Sequence, residues 1–429
     1  MTMGGFAFLL RLLTWWQAAA LAALALVANA TLLPRIGGGR LYRPAENVRG
    51  FPLGILLYPF SVLLLIAVFP SRLDIVAAAW AILAAGDGAA TLVGRGIGGT
   101  RLPWNPSKTV AGLLAFAISG SIAAVLLAWW TSPAVTPAPP RWWMVAAPIT
   151  AAIGAALVET IPVALDDNLS VPISAAAILW WMALMTPDSV LASSAAILDR
   201  LPWAAAVNAI AAWLGYKRRT VTSSGAVGGA LVGIVIYAAG GLAAWLMLLA
   251  TFLVATLSSR LGNRRKTERG IGEERGGRGA GNALANCGIA VLAAIAMVMT
   301  PYRRAAAIAF VTALTAGGSD TAASEAGKAW GGSTFLVTTW GRVPPGTPGA
   351  MSLLGTVTGV SSAAVLGALA VVLRLIDWTL VPLVIVASTV GALVESALAA
   401  TLEAPGILNN DLLNLLNTGV ATFVALLLS

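Results

Sequence analysis

Histidine is absent from the 429 residues, cysteine occurs once, as Cys287, and only 10% of the chain is charged. Each shortage closes a class of function. Without histidine no imidazole can move protons, and one cysteine allows neither an internal disulfide nor the ligand set of a zinc site. Proton transfer is left to carboxylates, and any bound metal to oxygen ligands, which suit hard cations such as Mg²⁺. Soluble domains carry about 25% charged residues. Here 59% of residues are hydrophobic instead, in runs long enough to cross a hydrocarbon layer about 30 Å thick. The composition is that of an integral membrane protein. Its formal charge of +9 sits mainly in loops, a membrane-protein pattern that argues against nucleic acid as a partner. The N-terminal stretch reads as a first span, not as a removed signal peptide.

The apolar runs predict an all-α polytopic protein with about fourteen spans. They fall at roughly 12–33, 53–69, 73–93, 108–130, 142–163, 171–186, 189–214, 225–239, 241–258, 281–300, 303–319, 350–373, 379–400 and 410–428. The run 189–214, interrupted by Asp199, Arg200 and Pro202, is expected to be a broken or interfacial helix. Assigning alternate loops to opposite sides gathers 19 of the 26 lysines and arginines on one side, which makes that side cytoplasmic. Asp87, Lys108, the acidic loop 166–168, Asp320, Lys328 and the segment 409–417 share it, so sites there would meet cytoplasmic nucleotides at the plasma or inner membrane. The tryptophan pairs at 15–16, 129–130, 142–143 and 180–181 read as interfacial belts.

Two related halves, 1–187 and 188–429, repeat one order of polar residues. In the first, Asp87 ends an apolar helix, Lys108 and Gly112 open the next, and Glu159 leads into Asp166, Asp167 and Asn168. In the second, Asp320 is followed by Glu325 and Lys328, then by the loop Gly346–Ala350 with Thr347, and Glu395 leads into Asn409, Asn410 and Asp411. The Asp-to-Glu spacings are 72 and 75 residues. Both motifs fall on one membrane face, which makes the repeat parallel.

A carboxylate near bilayer depth costs ~2.5 kcal/mol or more unless it is partnered, which marks Asp87 as functional. It suits a Mg²⁺ ligand, or a partner for Arg95 or Lys108. Asp167 and Asp320 are the other metal candidates. Arg95, Arg101 and Lys108 can grip phosphates. Lys108 follows Asn105-Pro106 at a helix start, Thr109 to Gly112, whose N–H groups favour an anion. Glu159, Asp167 and Asn168 could complete a metal site or take a proton from a hydroxyl, and Asp166 could equally be a turn residue. Glu325 and Lys328 stand three apart, so an ordinary helical ion pair competes with a ligand role. Asn409, Asn414 and Asn417 offer amides for a sugar, base or phosphate, or for holding helices together. The loop Arg260–Arg278 is either a phosphate-binding cover or a headgroup anchor, and Arg260 alone stands out in it.

The blocks GDGAATLVGRGIG, LPWNPSKTVAG and ETIPVALDDNLSVP resemble those of the phytol kinase, dolichol kinase and CTP-dependent phosphatidate cytidylyltransferase superfamily, over most of residues 40–180. The later blocks GGSDTAASEAGK, VPPGTPGAMSLLGT and GALVES resemble the phytyl-phosphate kinase family, over about 190–429. The resemblance implies that the first half phosphorylates a long prenyl alcohol and the second its monophosphate, with CTP or another nucleoside triphosphate and Mg²⁺. It carries roles onto Asp87, Lys108, Glu159 and Asn168, and onto Asp320, Glu325, Lys328 and Glu395. Two positions depart from the pattern: Ser107-Lys108-Thr109 replaces a double lysine, and Ala111 a glutamate before glycine. The rival readings are a cytidylyltransferase making a CDP-lipid and a transporter for lipid or ions.

Overall fold

In lipid, an apolar segment can satisfy its backbone only within itself, and the helix does this without a partner. The computed structural model describes residues 2–33, 35, 53–103, 105–161, 166–268, 277–403 and 408–429. Arg40, Arg43, Arg49 and the bases within 269–276, which are among the 19 gathered on one side, lie outside the described residues. Among the described residues nine helices are long and apolar enough to cross a membrane, and Trp15–Thr31 and Gly54–Val68 are shorter apolar helices. The protein is an all-α integral membrane protein. It divides into two compact units, Met1–Leu184 and Met185–Ser429.

The first unit is built around one helix. Leu73–Ala81 continues through a π turn, Ile82–Asp87, into Gly88–Gly96. Residues 73–79 and 81–84 are all buried, as expected of a helix enclosed on every side. Asp74 is tolerated there because Arg72 grips both its oxygens, at 2.9 and 2.8 Å. The Arg72 guanidinium in turn lies 4.8 Å from the ring centre of Trp143. Trp143 therefore departs from the interfacial belt expected of it: it is 1% exposed, with its indole N–H on the Leu179 carbonyl. Helices Val110–Thr131, Arg141–Glu159 and Asp167–Ala183 complete the described core. Glycine lets Val110–Thr131 approach closely, since a Cβ on Gly86 would sit 2.6 Å from the Phe116 ring. Strands β1 (Arg101–Leu102) and β2 (Asn105–Thr109) pair antiparallel just before that helix.

The second unit also has an enclosed helix, Arg303–Trp330, in which every residue of 306–319 is buried. Pro187–Lys217 runs unbroken through Asp199, Arg200 and Pro202, contrary to the expected interruption. Arg200 does not break it because its guanidinium serves the next helix, donating to the carbonyl of Ala239 at 3.0 Å. That carbonyl is freed where helix Ser223–Arg260 breaks at Gly241, with φ 71°, a backbone state open to glycine. The chain reverses there. Arg278 touches both ends of the segment, accepting from the Thr222 N–H at 3.0 Å and donating to the Ala255 carbonyl at 3.1 Å. In one straight helix those residues would stand about 50 Å apart. The segment is thus a pair of antiparallel arms, 223–240 and 242–260. A small sheet follows Arg303–Trp330, in the order β4 (Arg342–Val343), β3 (Thr334–Leu336), β5 (Ala350–Ser352). Helices Leu353–Val372, Val381–Leu398 with its π turn Ala399–Glu403, and Asn410–Leu428 close the unit.

Candidate functional site

In the first unit, Asp87 ends the π turn, Glu159 is the last residue of its helix and Asp167 the first of the next. One carboxylate oxygen from each lies within 4.8 Å of the others, and this is the one such acidic group of three among the described residues. Lys108 on β2 joins them: its ammonium bonds Glu159 and lies 3.5 Å from Asp167. Burial works against the Lys108 charge, but its bonds to Glu159 and the nearby carboxylates outweigh this and raise its pKa above the ordinary lysine value. Fully ionised, the three carboxylates with one ammonium would sum to two negative charges, which a divalent cation would balance. Oxygen donors at this spacing fit Mg²⁺.

The surrounding polar residues fix this geometry. Asn105, 8% exposed, donates to the Thr160 carbonyl at 3.0 Å, which ties β2 to the residue after Glu159 and so brings Lys108 onto it. Asn168 donates through its amide to Asp166 at 2.8 Å and to the Gly54 carbonyl at 3.3 Å, and Asp166 also accepts from the Asn168 N–H as the helix cap. The Gly112 N–H, a candidate anion donor by sequence, bonds the Thr109 hydroxyl at 3.1 Å. Arg95 is exposed near the end of its helix. Tyr58 escaped the sequence reading. Its hydroxyl accepts from Trp80 at 2.8 Å and lies within electrostatic reach of Asp87; a lone tyrosine in an apolar run was the available signal.

In the second unit, Asp320, Lys328, Thr347, Glu395, Glu403 and Asn410 line a cavity of about 220 Å³. Asp320 is the first residue past the buried run of its helix, the position Asp87 holds near the end of its own. Asp320 and Glu403 both act electrostatically on Glu395. The Asn417 amide stands close enough to Glu395 to act on its carboxylate, yet among the described residues one Glu395 oxygen and both amide atoms of Asn417 are buried without a hydrogen bond of ordinary geometry. Such groups are rare and call for a ligand or water. Glu325 is 3% exposed and sits between two lysines: Lys328 lies 3.3 Å from one oxygen, and Lys266 bonds the other. Lys266 was missed by sequence because it is one of seven bases in Arg260–Arg278. It is 1% exposed and also donates to the Ser259 carbonyl at 2.7 Å. Asn409 is exposed and caps its helix, accepting from the Leu412 N–H at 2.9 Å, while its neighbour Asn410 lines the cavity.

The description of the integral membrane family DUF92 matches residues 206–422, just over half of the chain. The chain belongs to the DUF92 family. All the second unit's cavity residues named above fall within that stretch, and the carboxylate cluster of the first unit falls outside it. Among curated proteins, an uncharacterized membrane protein of Synechocystis is 34% identical over 200 residues, 46% of this DUF92 chain and 78% of the relative. Protein VTE6, chloroplastic, of Arabidopsis thaliana is 32% identical over 216 residues, 48% of this chain and 65% of that protein. Probable phytol kinase 3, chloroplastic, of Glycine max is 34% identical over 123 residues, 28% of this chain and 38% of the kinase. The chain therefore spans less than two thirds of VTE6 and well under half of the phytol kinase. No solved structure matches it.

Proposed function

We propose that this DUF92 protein is a bifunctional membrane prenyl kinase. Its first unit phosphorylates a long-chain prenyl alcohol, phytol or geranylgeraniol, and its second phosphorylates the resulting monophosphate. The donor is CTP or another nucleoside triphosphate, with Mg²⁺, and both sites face the cytoplasm at the plasma or inner membrane. The observation that carries the reading is the convergence of Asp87, Glu159 and Asp167 within 4.8 Å, with Lys108 on two of them. The similarity to proteins named phytol kinase supports the same substrate class.

Asp87, Glu159 and Asp167 would hold the magnesium ion. When bound, it neutralises and orients the donor's phosphate oxygens. Lys108, kept charged by its carboxylate neighbours, stabilises negative charge on the moving phosphoryl group. A carboxylate of the cluster takes the proton of the prenyl hydroxyl. The prenyl oxygen forms a bond to the terminal phosphorus as the bond to the nucleoside diphosphate breaks. Positioning and electrostatics carry most of the rate in such transfers. In the second unit the acceptor is already an anion, so less base help is needed, and Lys328 beside Asp320 offsets the crowding of negative charge.

We read the fold as fourteen crossings, with 223–240 and 242–260 counted separately, in two halves repeated in parallel. Matching local geometry supports this. Thr109 caps its helix by accepting from the Gly112 N–H at 3.1 Å, and Ser352 accepts from the Gly355 N–H at 3.1 Å. A Cβ on Gly94 would meet the Thr109 hydroxyl at 3.2 Å, and one on Gly327 the Ser352 hydroxyl at 3.1 Å. In this register Lys328 corresponds to Arg95, and Met351 to Lys108, so the halves draw their cations from different positions.

The test is purified protein incubated with phytol or geranylgeraniol, each nucleoside triphosphate in turn, and Mg²⁺, with lipid products identified by mass. Prenyl monophosphate and diphosphate with release of nucleoside diphosphate are expected. Pyrophosphate release with a CDP-lipid would make the protein a cytidylyltransferase, and absence of any phosphorylated lipid would end the assignment.

A further inference from the structure

A second cavity of the C-terminal unit, about 160 Å³, lies between the two arms of the 223–260 hairpin and the helices Pro187–Lys217, Ala280–Met299 and Arg303–Trp330. Its lining is mainly apolar. Gly229 and Ala230 on one arm face Trp245, Leu249 and Phe252 on the other. The Trp245 indole is fixed by its 3.0 Å bond to the buried Asn208 amide, so this wall is rigid. At another edge the lining turns polar, with Arg278, Asn282, Asn286 and Thr321.

That polar edge adjoins the cavity that holds the carboxylates. Thr321 follows Asp320, which lines the other cavity. A Cβ on Gly281 would sit 2.3 Å from the Asp411 carboxylate, and Asp411 is the neighbour of Asn410 in the wall of the polar cavity. The linings of an apolar chamber and an ionic chamber therefore come within one residue of each other at 281–282, 320–321 and 410–411. An amphiphile with one hydrocarbon chain and a phosphate head has the chemistry to engage both: a chain suited to the apolar chamber and a head suited to the one lined by Lys328.

We propose that this hairpin chamber is the chain-binding site for the isoprenoid monophosphate, which makes it the device that selects acceptors by chain length. The proposal rests on the prenyl-phosphate kinase reading of the second unit. Gly229 sets the room available, because a Cβ added there meets nothing within 4 Å. A side chain added at this position, which lines the chamber, therefore starts in open space.

The test uses the full chain in lipid nanodiscs and geranylgeranyl monophosphate carrying a photoactivatable diazirine at the far end of its chain. Cross-links are expected within 208–232 and 245–287, and Gly229→Phe should reduce them by about tenfold or more. Ala283→Phe blocks the chamber from the facing helix and serves as an independent variant should Gly229→Phe fold poorly. In turnover, each variant should raise KM for geranylgeranyl monophosphate by about tenfold while dimethylallyl monophosphate reacts as with the unaltered protein. Cross-links confined to other segments, or unchanged in both variants, overturn the proposal. Chamber cross-links in a protein that transfers no phosphoryl group would instead overturn the kinase reading and leave the chain site standing.

Discussion

Lys266 and Glu325 form an ion pair shut away from solvent, at 1% and 3% exposure. It pins the short helix Asn263–Glu268 to the last turns of Arg303–Trp330. Removing one member of a buried pair costs up to about 3–5 kcal/mol when the other charge is stranded, and here Lys328, 3.3 Å from the second oxygen of Glu325, keeps part of that charge paired. Lys266→Met should therefore lower the unfolding temperature of the detergent-solubilised protein by less than the full penalty. The double variant Lys266→Met/Glu325→Gln should recover most of the loss, as thermal unfolding followed by circular dichroism would reveal.

The two carboxylate sites should fail separately. Asp87→Asn is expected to abolish conversion of prenyl alcohol to monophosphate, a loss of at least about 10²-fold given the weight of a positioned charged group in such sites, while added monophosphate still becomes diphosphate. Asp320→Asn should do the reverse and let monophosphate accumulate. Product mass analysis of each variant with both substrates checks this, and two variants with unaltered turnover at both steps would contradict the assignment.

Divalent metal should stabilise the first unit through its acids. Binding to the folded state alone raises stability by about 2.7 kcal/mol at a hundredfold excess over the dissociation constant. Millimolar Mg²⁺ should accordingly raise the unfolding temperature of the unaltered protein, less so in Asp87→Asn. A thermal-shift series over Mg²⁺ concentration, with chelator as the baseline, gives the comparison.

Packing at the helix that carries Asp87 is testable without any assay of function. A methyl group at Gly86 would collide with the Phe116 ring, and overpacking of this kind costs about 1–3 kcal/mol. Gly86→Ala should destabilise the protein, and Gly86→Ala/Phe116→Leu should regain part of the loss in the same denaturation experiment.

The apolar runs made the helices legible, because lipid leaves a long hydrophobic segment few alternatives. The acids and Lys108 were legible for a related reason: a charge in such a chain needs a partner, and Glu159 and Asp167 find theirs in Lys108, with Asp87 beside them. What composition concealed was pairing at a distance. Lys266 looked like any other base of its loop until Glu325 came beside it. Trp143 carried the signature of an interfacial residue, yet Arg72 and the Leu179 carbonyl absorb its ring and N–H inside the unit. Arg200 and Pro202 spelled interruption, but the arginine's partner carbonyl exists only because a different helix breaks at Gly241. These residues take their roles from neighbours tens of positions away, which local pattern does not encode.

The π turn at Ile82–Asp87 gives the first unit an unusual dependence on residue count. One residue more than an α turn requires is wound into that stretch, so loss of a single alanine there would leave a regular, still apolar helix. The helix on either side would keep its phase, because the bulge is what absorbs the extra residue, but the turn that ends on Asp87 would tighten and re-aim its carboxylate relative to Glu159 and Asp167. Conversion of the bulge into ordinary helix would thus act on the turn that carries Asp87 alone, with the rest of the helix in place and every acidic residue still present in the chain.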